Sequence, residues 1–276
     1  MEECNLQKRL SNVLLVSDID GTLINHNFKI PKRNIDAIQR FRDEGGIFCI
    51  ASGRPMVSAR QYTDLLKIDT PCLLVNGSVI YDWCKKEIIW SKAIPRESLK
   101  YVDLVQRKFP DIGIEAITKD KINIIKSNDK VIAHVQNENL SCDVVSFDDL
   151  QEDIYKVLFA AEKNIIEEVY EYTKTLDSQN VRFVRTSNIF FEMIPYGISK
   201  GAALKNLMEI LNVKKENTFA VGDYYNDIEM FSEAGVGAVV KDAPDEVKKH
   251  ADIVVCSCDD GAVADTIEYI EKKYLA

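Results

Sequence analysis

Short apolar runs alternate with longer amphipathic stretches at both ends of the chain, and the two periodicities assign different elements. Val13, Leu14, Leu15 and Val16 form an unbroken apolar run that ends in charge at Asp18, the pattern of a strand covered on both faces. Ile35, Ile38 and Phe41 then recur at helical spacing between Pro31 and Gly45-Gly46, which predicts a helix with a proline start and a glycine stop. A strand over 47–51, a helix from Pro55 with Pro71 beyond its end, and a third buried strand over 72–75 continue the alternation. Asn76-Gly77 is a turn signal, and segments 79–81 and 87–90 alternate as an edge hairpin. After Pro195-Tyr196-Gly197 the alternation resumes with helices 200–211, 227–234, 244–250 and 262–274 and strands 219–221, 238–240 and 253–256. Strands that take turns with helices predict a doubly wound, Rossmann-like α/β core, its parallel sheet joined by right-handed crossovers.

Between these blocks the pattern loosens. Helices are expected over 95–109 and 162–175, and short strands over 121–125, 156–160, 181–185 and 190–194. This middle stretch reads as a separate α+β domain inserted into the first, so the 276 residues divide into a core of 1–91 and 194–276 and an insertion of 92–193. No internal repeat, low-complexity tract or heptad seam interrupts that organisation.

Charge narrows the partners. The net charge is −9 and the basic residues are scattered rather than clustered, which argues against a nucleic-acid backbone as ligand. A small anionic substrate would instead need a local positive site. Residues 1–12 are charged and the apolar run behind them is short, so neither a signal peptide nor a membrane span is expected, and the protein is expected in the cytoplasm. Seven cysteines with no Cys-x-x-Cys pairing suit reduced thiols. Cys256-Ser257-Cys258 is the one close pair; it could bind a metal or sense oxidation, but no nearby histidine completes a ligand set. His26, His134 and His250 lie far apart in the chain, and no zinc site is expected.

The strongest chemical signal is Asp18-Ile19-Asp20-Gly21-Thr22, which sets two carboxylates two residues apart at the end of the first strand. Ligands of open α/β sheets bind at the carboxyl ends of the strands. In extended backbone alternate side chains share a face, so both acids could reach one site while Gly21 permits the turn that follows. Read blandly, the stretch is a strand ending in a hydrophilic turn.

Three further segments fall at strand ends or helix starts: Ala51-Ser52-Gly53-Arg54-Pro55, Ser199-Lys200-Gly201 and Gly222-Asp223-Tyr224-Tyr225-Asn226-Asp227. Together with the opening stretch they resemble the four motifs of the haloacid-dehalogenase-like phosphatases. Their order and the large insertion between the second and third are similar to the Cof-type subgroup with its C2B cap, which would make 92–193 the cap. The resemblance implies that Asp18 is the nucleophile forming an aspartyl-phosphate and that Asp20 protonates the leaving oxygen and later activates water, and phosphate-ester chemistry calls for the same roles. So many acids beside an anionic substrate require a divalent cation, and oxygen-only ligands favour Mg2+ held by Asp18, the backbone carbonyl of Asp20 and Asp223, with Asp227 orienting the bound waters. Ser52 and the Gly53 amide could donate to phosphate oxygens at a helix start. The resemblance adds the Ile19 amide, Asn226 and the charge of Lys200. Arg54 is a candidate substrate contact, an ordinary surface ion pair being the competing reading. Thr22 braces the loop.

The chain departs from the family pattern at Lys241-Asp242-Ala243, where Gly-Asn-Ala is usual, and at Asn76-Gly77-Ser78 in place of Asn-Gly-Ala. Cap residues Arg182, Arg185, Phe190, Phe191 and Glu192 are candidates for substrate selection, although strand alternation also sends such residues to solvent or core. The expectation is a Mg2+-dependent phosphohydrolase of small phosphate monoesters, such as sugar phosphates or phosphorylated cofactors. A phosphomutase would share the aspartyl-phosphate, and a phospho-accepting signalling module would share Asp18 but need neither Asp20 nor a cap.

Overall fold

The computed structural model describes residues 8–119, 121–137 and 142–275. Residues 1–7, part of the amino-terminal stretch read above for targeting signals, lie outside that description. The chain forms two compact units: Met1–Ser52 with Tyr62–Ile89 and Ser199–Ala276, and Gly53–Gln61 with Trp90–Ile198. Among the described residues no helix is long and apolar enough to cross a membrane.

The first unit is built on a five-stranded parallel sheet in the order Ile253–Val255, Val236–Val240, Thr218–Gly222, Leu14–Ser17, Ile47–Ile50. Leu14–Ser17 lies between two parallel partners, Leu14 opposite both Thr218 and Ile47, and all its residues are buried. That is why Leu14, Leu15 and Val16 run on as apolar residues instead of alternating with polar ones. The helix Lys32–Asp43 buries Asn34, Ala37, Ile38 and Phe41, a face of helical period. Asn34 takes the core position that periodicity assigned to Ile35. Its amide donates to the Leu23 carbonyl at 3.0 Å and accepts from the Ala264 N–H at 2.9 Å, so a fully buried polar group is satisfied twice.

The third expected strand does not join the parallel sheet as a full member. Pro71–Leu74 pairs antiparallel with Val79–Asp82 in a three-stranded sheet completed by Glu87–Ser91, and meets the first sheet's end through a single parallel bridge, Ala51 to Leu73. The reversal is made by Val75, Asn76 and Gly77, with φ of 52°, 55° and 93°. Glycine is required at the last position, because a Cβ there would lie 2.4 Å from the Ser199 carbonyl oxygen.

The second unit carries a six-stranded sheet in the order Val181–Arg185, Phe190–Pro195, Lys156–Ala160, Gly113–Ile117, Ile122–Lys126, Cys142–Val144. Helices Lys100–Lys108 and Lys163–Thr173 contribute Val102, Val105, Ile166 and Val169 to a core shared with Ile114, Val157, Phe159, Phe191 and Met193 of the sheet. Three elements here were not anticipated: the strands Gly113–Ile117 and Cys142–Val144 and the helix Asp129–Asn137. The first was hidden by Glu115, a fully buried acid whose carboxylate meets His134 Nδ1 at 2.9 Å. The helix starts on Asn128, whose Oδ1 accepts the Val131 N–H at 3.0 Å. Phe191, a candidate for substrate selection, is instead fully buried and stacked on Phe183 with centroids 5.8 Å apart. Glu192 is also buried and pairs with Lys156 at 2.8 Å. Arg185 is engaged within its own hairpin, by the Ser187 carbonyl and Asn188 Oδ1.

Candidate active site

Four segments of the first unit converge at the carboxyl ends of its central strands. The ladder of Leu14–Ser17 continues one residue beyond the strand, the Asp18 N–H donating to the Val221 carbonyl at 2.9 Å, so the backbone that carries Asp18 is fixed by the sheet. Thr218–Gly222 ends beside it and delivers Asp223 and Asp227. Helix Lys200–Leu211 is capped by Ser199, whose hydroxyl accepts the Ala202 N–H at 3.0 Å. This places Lys200 in the first helical turn, where a cation is disfavoured by the helix dipole. Compensation comes from two acids: Lys200 Nζ donates to Asp18 Oδ1 at 2.5 Å and to Asp227 Oδ1 at 2.6 Å, with only 1% of the lysine exposed.

The other oxygen of Asp227 is occupied as well. Its Oδ2 accepts the backbone N–H groups of Asp223 and Tyr224 at 2.9 and 3.1 Å, which folds the loop after the strand around a fully buried carboxylate. Asp223 is half-buried beside it, and Thr22 Oγ1 donates to its Oδ1 at 3.5 Å. Gly21 is the contact point between the first and last motifs. Its φ is +74°, and a Cβ would sit 2.5 Å from Asp223 Oδ2, so both conformation and space demand glycine. Carboxylate oxygens of Asp18, Asp223 and Asp227 all lie within 4.8 Å of one another.

The electrostatics follow from that crowding. Burial pushes the Asp18 carboxyl up to about 7; Lys200 opposes the rise, and Asp227 and Asp20 add to it. Asp223 is likewise raised well above the ordinary range by burial and by Asp18 and Asp227. Burial alone would lower Lys200, but Asp18 and Asp227 outweigh it and hold the amine above the usual lysine value. The two short contacts assign the charge to Lys200, and the surplus proton belongs to the carboxylates as a group. One lysine against this set leaves negative charge uncompensated in a dry site, and hard oxygen donors without histidine or thiol suit a small divalent cation.

The other expected residues fall as follows. Ile19 is buried directly after Asp18, and Asp20 is exposed at the turn, its backbone bridged to Ile24. Ser52 is buried just past the neighbouring strand, its N–H bonded to the Leu73 carbonyl and its own carbonyl accepting from Asn76. Asn226 donates its side-chain amide to Asn76 Oδ1 at 3.2 Å. Asn76 adjoins the site, although the sequence marked it as a turn and as part of a family-pattern triplet and not as a candidate site residue; its signal was an Asn-Gly pair directly behind a buried strand. Gly53 and Arg54 belong to the second unit, where the Gly53 carbonyl accepts from Lys156 Nζ at 2.8 Å and Arg54 donates to Ser58 Oγ at 2.8 Å.

Comparison with known proteins agrees with this geometry. Residues 15–267 match the family of haloacid dehalogenase-like hydrolases. A 5-amino-6-(5-phospho-D-ribitylamino)uracil phosphatase of Bacillus subtilis is 28% identical over 93% of this chain and 94% of its own length. A hydrolase of Schizosaccharomyces pombe is 30% identical over 93% of this chain and 90% of its own. The crystal structure of a haloacid dehalogenase-like hydrolase from Bacteroides thetaiotaomicron superposes with a TM-score of 0.85 at 26% identity, covering 94% of this chain and 99% of that one.

Proposed function

This chain belongs to the haloacid dehalogenase-like hydrolases and is a phosphatase, and from that premise we propose that it is a Mg2+-dependent phosphohydrolase working through an aspartyl-phosphate on Asp18. Its substrates are small phosphate monoesters of the sugar-phosphate or phosphorylated-cofactor type. The observation that carries the reading is the placement of one buried lysine between Asp18 and Asp227, with Asp223 in reach of both. A structural salt bridge would need no third acid at that point.

In the first half-reaction an Asp18 carboxylate oxygen attacks phosphorus in line, the phosphorus–oxygen ester bond breaks, and Asp20 gives its proton to the departing alkoxide. In the second, Asp20 takes a proton from water as that water attacks phosphorus, and the bond to Asp18 is released. Lys200 holds Asp18 in place and offsets the charge of the phosphoryl group. Ser52 and the amides of Ile19 and Gly53 donate to its oxygens, as does Asn226, whose side chain is oriented by Asn76. Asp18, the Asp20 carbonyl and Asp223 are the groups that would hold Mg2+, which would supply charge compensation to the site when bound. Asp227 holds the loop and lysine that define that set. Arg54 is a candidate contact for the rest of the substrate.

The test is release of inorganic phosphate from a panel of phosphate esters, with and without Mg2+. Asp18→Asn and Asp20→Asn should each reduce turnover by several orders of magnitude while leaving the circular-dichroism spectrum intact. Undiminished turnover in the Asp18 variant would remove the covalent step.

A further inference from the structure

Away from the carboxylate cluster, three side chains of different chemistry meet between the loop after Thr22 and the loop before helix Ala262–Leu275. His26 Nδ1 lies 2.8 Å from Asp259 Oδ2 and 3.7 Å from Cys258 Sγ, and one ligand atom from each of the three falls within 4.8 Å of the others. The His26 N–H also donates to Asp259 Oδ1 at 3.1 Å, so the loops are joined through main chain as well as side chains. Cys258 is buried, whereas the His26 and Asp259 side chains are 71% and 51% exposed. No histidine lies near this thiol in the chain; the fold supplies one from 232 residues away. Cys256, its neighbour in the chain, is not part of the group and lies 3.6 Å from the Arg33 guanidinium.

We propose that His26, Cys258 and Asp259 form a second cation site, for a borderline-soft divalent ion of the Zn2+ kind, distinct from the oxygen-only cluster at Asp18. The donor set is the first argument: imidazole, thiolate and carboxylate together select Zn2+ or its congeners and are poor ligands for Mg2+. Geometry is the second. Tetrahedral zinc with ordinary bond lengths separates its nitrogen and sulfur ligands by about 3.6 Å and its nitrogen and oxygen ligands by about 3.4 Å. The sulfur is therefore already in place at 3.7 Å, and the half-exposed Asp259 carboxylate must swing outward by about 0.6 Å from its present 2.8 Å. A fourth position remains for water.

Binding breaks the sulfur–hydrogen bond, forms a sulfur–metal bond and releases one proton to solvent, with neutral His26 coordinating through Nδ1.

The experiment uses the full chain in excess Mg2+, so that hard-cation sites are filled, and titrates Co2+ as a spectroscopic substitute for Zn2+. One equivalent should produce a thiolate-to-metal charge-transfer band together with tetrahedral ligand-field absorption, and Zn2+ should abolish both by displacement. Cys258→Ser should remove the charge-transfer band, the exposed His26→Ala should weaken binding at least tenfold, and Cys256→Ser should leave the titration unchanged. His26→Ala carries the test should the buried cysteine variant fail to fold. No thiolate band at one equivalent, a band that survives in Cys258→Ser, or unchanged affinity in His26→Ala would each overturn the proposal. None of these readouts depends on turnover, so they stand or fall apart from the phosphatase mechanism.

Discussion

Stripping divalent cations from this protein should make it lose stability as the pH rises from the acid range to neutrality. The perturbation is chelation followed by a pH series, and the responsible groups are the carboxylates around Lys200. Asp18 is lifted by burial from 3.8 to about 7, so between those values the folded chain holds a proton that the unfolded chain has released. A group shifted upward contributes stability that is complete below its unfolded value and is lost as the pH climbs through the folded one. At about 1.4 kcal/mol per unit, a rise of that size is worth roughly 4 kcal/mol across that window to the carboxylates that share the proton, the raised Asp223 among them. The exposed Asp149 and Asp259, held low by Ser146 and His26, titrate below this range and do not offset the trend. Urea unfolding of the chelated protein at about pH 5.5 and about pH 8 samples the upper half of that window, about 2 kcal/mol, and repetition in excess Mg2+ should flatten it, because the cation displaces the shared proton. Equal or greater stability of the chelated protein at the higher pH, or a Mg2+ increment that does not depend on pH, would refute the charge argument for the site.

Two substitutions probe the same cluster from other sides. Lys200→Met should abolish phosphatase activity and cost about 3–5 kcal/mol in urea unfolding near pH 8, since it leaves Asp18 and Asp227 facing each other without their buried cation, and part of that loss should return on acidification. Gly21→Ala should lower kcat/KM by at least tenfold, because its Cβ would displace the Asp223 carboxylate; wild-type kinetics would show that the contact is slack.

The core was legible because its elements are locally consistent. Leu14–Ser17, Lys200–Leu211 and Thr218–Gly222 each match their apolar pattern; Asp18 and Asp223 follow directly on their strands, while Asp20 is exposed at the turn and not part of the carboxylate group. What the pattern hid were polar residues inside apolar environments. Asn34 and Glu115 are fully buried yet satisfied by partners distant in the chain, and a one-dimensional reading scores such residues as surface. Phe191 shows the converse: alternation places it on one face of a strand, but only the stack on Phe183 says that this face is the core. Asn76 and the His26–Cys258 contact were invisible for a simpler reason, since the residues that give each its meaning, Asn226 and the loop before the last helix, come from the other end of the chain.

The central strand's dependence on a far partner has a consequence for biogenesis. Leu14–Ser17 leaves the ribosome well before Lys200, which neutralises the acid at its tip and lies 182 residues further along. At ordinary translation rates that is a wait of about 10–40 s, during which an apolar strand is exposed with one flank unpaired. Nascent chains of this protein are therefore natural clients for a holdase, and truncated products of interrupted synthesis should be aggregation-prone and inert.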